Sequence, residues 1–505
     1  HVVRCPVANR GTLPMTRLAL LPGVGPGHAI FPGGQSTMSQ LSRKSTSPRR
    51  ATKPSRFTKR YQRVEDLSVV HRHAAGIDLA GAASHFVAVE IGDEIEVREF
   101  GGTTDEVKAL VAYLGAQGVT TVALESTGVY WMVVYDLLEA AGLEVYLVNP
   151  THVKSVPGRR KDDKLDCRWR QKLHKYGLLS ASFRPSPEDR PLQSYYRQRT
   201  RLIRLAADEL RRMQQALDVM NVRLHKTLSD LAGVTGMRIV RAIVEGEHDP
   251  AVLATYRDPR CACTPEELQA ALTGHYLPQQ VLALTQALAR YDLLTGQVTD
   301  LDAAIEATLQ QGLPSADEDV AAHGAATPMP PAQGKHAPAF PVRRYLVALT
   351  GQDATQLPGI AASSALGLQA EMGRDLTKWL TAKHFTAYLT LAPVPKISGG
   401  KRLSSRTRPG THPAAVIFKQ AAAAVSRTDT ALGACYRRLA VRIGAGKAIV
   451  AIARKIAEQY YYLMRYGQAY VDVGAQREEE RYRQRQITAL TKRAQQLGLV
   501  VSPAA

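Results

Sequence analysis

The chain has 505 residues, enough for several domains and at least one full hydrophobic core. Its 65 Lys and Arg against 45 Asp and Glu give a formal charge of +20, which points to a polyanionic partner, above all nucleic acid. No apolar run reaches the ~18–20 residues of a membrane span, and Cys261-Ala-Cys263 lacks the second ligand pair of a zinc site, so membrane proteins and metal knuckles are set aside. Reduced thiols and a cytoplasmic, nucleoid-associated setting are expected.

Residues 1–64 hold 12 Lys and Arg and no Asp or Glu, so much of the surplus sits there. Rich in Gly, Pro and Ser and without sustained periodicity, they read as a basic disordered arm, with Met15 and Met38 as candidate translation starts. From His71 the texture changes. AAGIDLA, SHFVAVEIG and EIEVREF read as three strands in a meander, with a turn at Gly92-Asp93. A helix over about Thr104–Ala116, a strand ending at Glu125, a helix stopped by Gly142, a strand LEVYLV and an acid-bearing helix follow. The order β-β-β-α-β-α-β-α predicts a ribonuclease-H-like α/β domain over 65–186.

That order has a chemical consequence. Asp78 lies within the first strand and Glu125 at the end of its expected parallel neighbour. Asp163 and Asp166, three apart, share a helical face. Four converging carboxylates repel unless a cation neutralises them. Two divalent ions ~3.5–4 Å apart, with Mg2+ best suited to all-oxygen ligands, are the usual arrangement for phosphodiester chemistry. Asp162 competes with Asp163, and spacing alone does not separate them. Lys154, Arg159, Arg160 and Lys161 precede this pair and suit phosphate contacts.

Leu210, Met213, Leu217, Met220, Leu224, Leu228 and Leu231 recur at three- and four-residue spacing. Leu284, Leu288, Tyr291, Val298, Leu301 and Ile305 do so again. These predict long helices over 187–312, forming a coiled coil or antiparallel hairpin, with a short helix at about Thr264–Leu272 between them. Residues 313–341 read as an Ala/Pro/Gly/His-rich linker. A mostly helical last domain spans 342–470. Its Leu357–Gly373 suggests a helix–hairpin–helix element offering backbone N–H groups to a phosphate. A charged helical tail covers 471–505.

Within that last domain Ser398-Gly399-Gly400-Lys401-Arg402 places a hydroxyl in a glycine-flanked loop among cations, with Arg406 and Arg408 close behind. Ser404 and Ser405 are rival hydroxyls.

Together GIDLA, ALESTGVYW, VYLVNPTHVKSVPGRRKDDKLD and SGGKR resemble the DEDD-type transposases of insertion-sequence family 110, which includes the Piv DNA invertases. The resemblance covers about residues 70–186 and 340–470. It implies that Asp78, Glu125, Asp163 and Asp166 form a RuvC-like metal-binding tetrad, that Asp163 rather than Asp162 is the ligand, and that Ser398 is a nucleophile. It further implies a DNA recombinase acting as a dimer or tetramer on donor and target DNA selected by an element-encoded bridge RNA. Where the family often carries R-x-S-K-x-G-N this chain has SRTRPGTHPAA, so Thr411 and His412 stand near the Asn position and DNA contacts there are in question. The alternative is a RuvC-like junction endonuclease that uses the acids without serine covalent catalysis.

Overall fold

Runs of apolar and β-branched residues between turns form the first three strands, β1 (Ala74–Ala80), β2 (Ser84–Ile91) and β3 (Glu94–Gly101). This computed structural model describes residues 67–80, 83–92, 94–126, 128–150, 163–313, 336–410, 412–500 and 502. The expected arm at 1–64, the cations Lys154, Arg159, Arg160 and Lys161, and Asp162 lie outside them, as does most of the expected linker. The chain divides into two compact units, one ending at Ala181 and the other beginning at Ser182.

In the first unit, α1 (Thr104–Ala116) begins where the Thr103 hydroxyl accepts the Glu106 N–H. It leads into β4 (Thr121–Glu125). Helix α2 (Trp131–Ala140) then runs to a stop at Gly142, whose φ of +80° favours glycine, and delivers β5 (Glu144–Val148). Strand order is β3-β2-β1-β4-β5; β1 is antiparallel to β2 and parallel to β4, and β4 is parallel to β5. The expected element order is observed.

Period-two alternation separates the faces of this sheet. Ala75, Ile77, Leu79, Val87, Val122 and Leu124 pack against Leu110 and Leu114 of α1 and Leu138 of α2. On the other face lies α3 (Asp163–Lys175), where Cys167 meets Phe86 and Ala88, and Leu173 meets Ala123 and Val148. Gly76 sets how close this helix comes. A Cβ there would stand 2.3 Å from the Gln171 amide nitrogen and 2.5 Å from the Cys167 carbonyl oxygen.

The second unit starts with α4 (Arg190–Val219), continues through short helices α5 (Leu224–Thr227), α6 (Val234–Val244), α7 (Pro250–Ala254) and α8 (Pro265–Leu272), and returns along α9 (Pro278–Gln311). Arg199 pairs with Asp302, and Glu209 with Arg290, so α4 and α9 run antiparallel. The first apolar seam is not one helix. The chain turns at Asn221, whose φ is +57°, and Leu224, Leu228 and Leu231 are buried in a cluster at the end of the pair, with Ile239, Ile243 and Leu268. Helix α8 falls where expected and carries a capping box between Thr264 and Glu267.

The last stretch comprises α10 (Val342–Thr350), α11 (Ala362–Met372), α12 (Ala382–Tyr388), strands β6 (Lys396–Ser398) and β7 (Lys401–Ser404), then α13 (Pro413–Val425), α14 (Ala431–Ile443), α15 (Ala445–Tyr466) and α16 (Ala475–Gln496). Its core gathers Phe385, Phe418, Tyr460 and Tyr461, and also takes in Leu192, Ile305 and Leu309 from α4 and α9. The helical pair and the last stretch therefore share one core. Helix α16 buries no residue. No described helix is long and apolar enough to cross a membrane.

Candidate active site and nucleic-acid interface

Strand parity decides where the acids go. Ile77 is in register with Leu124 across the parallel β1/β4 pair, and both face α1 and α2. Asp78 and Glu125, one residue further along each strand, therefore face α3 together at the C-terminal end of β4. Both side chains are largely buried.

A single cation joins them. Arg170 of α3, 1% exposed, donates from Nη2 to Glu125 Oε2 at 2.7 Å and to Asp78 Oδ1 at 3.3 Å, and from Nη1 to the Ile77 carbonyl at 2.5 Å. Its Nε–H is buried and has no partner among the described residues. Arg170 lies one turn after Asp166, which is half-buried, and two turns after the position of Asp163; 163, 166 and 170 occupy one face of the helix by spacing. Asp163 begins α3, and its side chain lies outside the described residues. Neighbouring Cys167 is buried, and burial and then the Asp78 carboxylate push its thiol up to about 11, so it stays protonated.

Carboxylate oxygens are the donor set that Mg2+ or Mn2+ prefers. In that respect Asp78, Glu125 and Asp166 fit a divalent ion, although the place between Asp78 and Glu125 is taken by the Arg170 guanidinium. Among the described residues no three His, Cys, Asp or Glu side chains gather closely enough to hold a metal. Arg170 escaped the sequence reading, yet its signal was there: a long cation four residues after Asp166 on the acidic stripe.

The second unit presents Ser398 differently. Ser398 and Lys401 are register partners flanking a two-residue turn, Gly399-Gly400, with φ of +53° and +74°. Positive φ at both central residues is the type I′ hairpin turn, which glycine adopts without strain. The glycine-flanked loop expected here is thus the turn of a β-hairpin. Ser398, Lys401 and Arg402 are exposed on it. Of the rival hydroxyls, Ser404 Oγ accepts the Arg406 backbone N–H at 3.3 Å, whereas Ser405 opens onto a neighbouring groove.

That groove, about 1440 Å³, is lined by Ser405, Arg406 and Arg408 on the hairpin side and by Arg442, Lys447, Arg454 and Lys455 on the helical side. Glu458 is the one acid among its lining residues, and it holds Arg454 at 2.9 Å. The groove also reaches the start of α15. Gly444 offers that helix no side-chain cap, and a Cβ on Gly446 would meet nothing within 4 Å, so backbone N–H groups are approachable. Arg442, Lys447, Arg454 and Lys455 thus line one cleft.

Two residues of the last stretch are packed inward. Gly359, in the turn before α11, abuts the Ala421 carbonyl of α13, where a Cβ would come within 2.5 Å, so that glycine serves helix packing. His412 caps α13. Its Nδ1 accepts the Ala414 N–H at 3.2 Å, its Nε2 lies 3.0 Å from the Tyr388 hydroxyl, and burial lowers its pKa. Thr411 lies outside the described residues.

A family model for DEDD transposases of IS110, described as Transposase, matches residues 75–222. A second, described as Transposase IS116/IS110/IS902 family, matches residues 352–437. No curated protein matches the chain. The first match takes in the sheet, Asp78, Glu125 and α3; the second takes in the Ser398 hairpin and part of the basic groove. Two matches in chain order, each enclosing one set of candidate residues, show that the chain belongs to the IS110 family of transposases.

Proposed function

We propose that this transposase cuts and rejoins DNA strands through a phosphoserine ester on Ser398. In this reading Asp78, Glu125, Asp163 and Asp166 hold Mg2+, a bridge RNA selects donor and target DNA, and the working unit is a dimer or tetramer. The observation that carries the reading is the pairing of Asp78 with Glu125 on one face of the sheet, at the strand end, opposite a helix that bears Asp163 and Asp166.

Ser398 Oγ attacks the phosphorus, an Oγ–P bond forms, and the bond to the strand's bridging oxygen breaks, that oxygen leaving as a hydroxyl. The ester conserves the phosphodiester's free energy, so a hydroxyl end of another strand can reverse the step and release Ser398 without a high-energy cofactor. Lys401, one residue across the hairpin register, and Arg402 are suited to hold the non-bridging oxygens during attack. Arg406, Arg408, Arg442, Lys447 and Lys455 are suited to hold the flanking backbone. Bound Mg2+ would add Lewis-acid polarisation of the phosphoryl group.

The test is covalent capture. Wild-type protein with element-end DNA should give a denaturation-resistant protein–DNA adduct, and Ser398→Ala should lose both adduct and strand transfer by on the order of 10³-fold or more. Ser398 is exposed, so the thermal midpoint should not move. Cleavage at the wild-type rate in Ser398→Ala would overturn the phosphoserine route in favour of a junction endonuclease that uses the acids alone.

A further inference from the structure

The Ser398 hairpin carries two large apolar side chains into solvent. Ile397 is 63% exposed and Leu403 70%, on a ribbon whose cations Lys396, Lys401 and Arg402 are exposed as well. Alternation puts Ile397 and its partner Arg402 on the face opposite Ser398 and Lys401. The ladder then slips. Lys396 pairs with Ser404 and Ile397 with Arg402, so Leu403 is an extra residue in β7, a β-bulge of the kind that re-aims a side chain.

Charge decides what covers these side chains. From Leu376 to Thr428 the chain has no Asp or Glu, and the groove beside the hairpin is lined by cations. This surface draws a polyanion, and the apolar surface that DNA offers close to its phosphates is the stack of its bases. A two-stranded ribbon fits a DNA groove, and Ile and Leu are among the side chains with which DNA-bending proteins part base steps. We propose that the Ser398 ribbon enters a groove of duplex DNA, where Ile397 and Leu403 wedge into the base stack and open the step beside the phosphate that Ser398 attacks. This inference rests on the reading of Ser398 as the nucleophile. A stacked duplex holds its backbone on one regular path. Opening a step lets the backbone kink and turns a phosphate toward a hydroxyl on the ribbon's other face.

Unstacking can be read directly. The duplex that gives the covalent adduct is made with a fluorescent adenine analogue, quenched by stacking, at each step around the cleaved phosphate in turn. It is bound by Ser398→Ala so that no strand is cut. Fluorescence should rise at one step, and adding Ile397→Thr or Leu403→Thr should reduce the rise about threefold or more. In chains that keep Ser398, each Thr substitution should slow adduct formation about tenfold or more while DNA affinity stays within about twofold. A mismatch at that step supplies the opening beforehand and should restore the rate. Ile397→Val and Leu403→Met should behave as wild type. Both side chains are exposed, so the thermal midpoint should not move. Flat fluorescence at every step, or wild-type adduct formation in both Thr variants, would overturn the inference and leave the phosphoserine reading intact. So would a slowing that the mismatch does not relieve, or loss of self-association without DNA, which would seat these side chains against a second copy. No adduct from wild type on any element-end duplex would remove the phosphoserine reading and this inference with it.

Discussion

The acidic face of the first unit and the serine hairpin of the second are built by opposite means. Asp78 and Glu125 are buried, tied to a buried arginine and held under a helix that a glycine lets close against the sheet. Ser398 stands exposed on a two-stranded ribbon whose turn is two glycines, beside an open basic groove. Groups that must hold a cation gain from burial, because low dielectric strengthens their interactions and fixed partners remove reorganisation. In the proposed function Ser398 is a nucleophile that meets a large, stiff polyanion, a role that suits a side chain projecting from the surface. Preorganisation therefore belongs to the acids, and reach belongs to the serine.

If helix closeness is what holds the acids, the sharpest way to break the comparison leaves every carboxylate in place. Gly76→Ala puts a methyl against the backbone of Gln171 and Cys167, which cannot yield as a side-chain tip could. The expected cost is about 3 kcal/mol of stability, read as a lowered thermal midpoint, with strand transfer lost in proportion to any displacement of α3. An equivalent change at Gly446, where there is open space, should leave the midpoint nearly unmoved. Equal effects at the two positions would end the distinction between a tightly seated site and an open one.

The next effect, in the first unit alone, depends on pH. His174 of α3 is fully buried, its Nε2 2.9 Å from the Thr121 hydroxyl and its ring stacked on His71. Burial, and then the neighbouring His71, push its pKa down from 6.5 to about 4. The unfolded chain therefore takes up a proton between pH 6.5 and 4 while the folded unit does not, so stability falls as pH drops through that window. Going from pH 7 to pH 5 should remove about 2 kcal/mol from this unit. His174→Gln should flatten this part of the pH profile. A wild-type midpoint independent of pH between 7 and 5 would show that α3 is not seated by a neutral buried imidazole.

Much of this architecture was legible because it rests on local signals. Short apolar runs located β1 and β4, and the glycines at 92 and 142, left-handed in the structure, marked a turn and a stop. The mostly helical character of the stretch after residue 412 was legible because small and apolar residues recur there at helical spacing. What was not legible depends on contacts distant in sequence. The seam from Leu210 to Leu231 reads as one helix until Asn221 takes a left-handed conformation, a local cost that burial of Leu224 and Leu228 in the terminal cluster offsets. Gly359 looked like a phosphate-facing turn because sequence cannot show Ala421 against it. Arg170 drew no notice in the sequence, since its burial depends on β1 and β4, some 45 to 93 residues earlier.

The smallest effects should come from the open side of the comparison. Arg442 and Lys447, which line the groove, are expected to act one phosphate at a time. Arg442→Ala and Lys447→Ala should each weaken DNA binding by about 1 kcal/mol, almost independently of sequence, and reduce the slope of log affinity against log salt by about 1. Arg454→Ala should do at least as much, because Glu458, which now holds that guanidinium, would be left as an unpaired anion facing the phosphates. Arg483→Ala, on the exposed α16, changes net charge by the same amount away from the groove. If Arg483→Ala lowered the salt slope as much as Lys447→Ala, binding would reflect overall charge rather than the groove. A groove-specific change, with the thermal midpoint unaltered in all four variants, would mark the cleft beside the Ser398 hairpin as the surface along which the backbone lies.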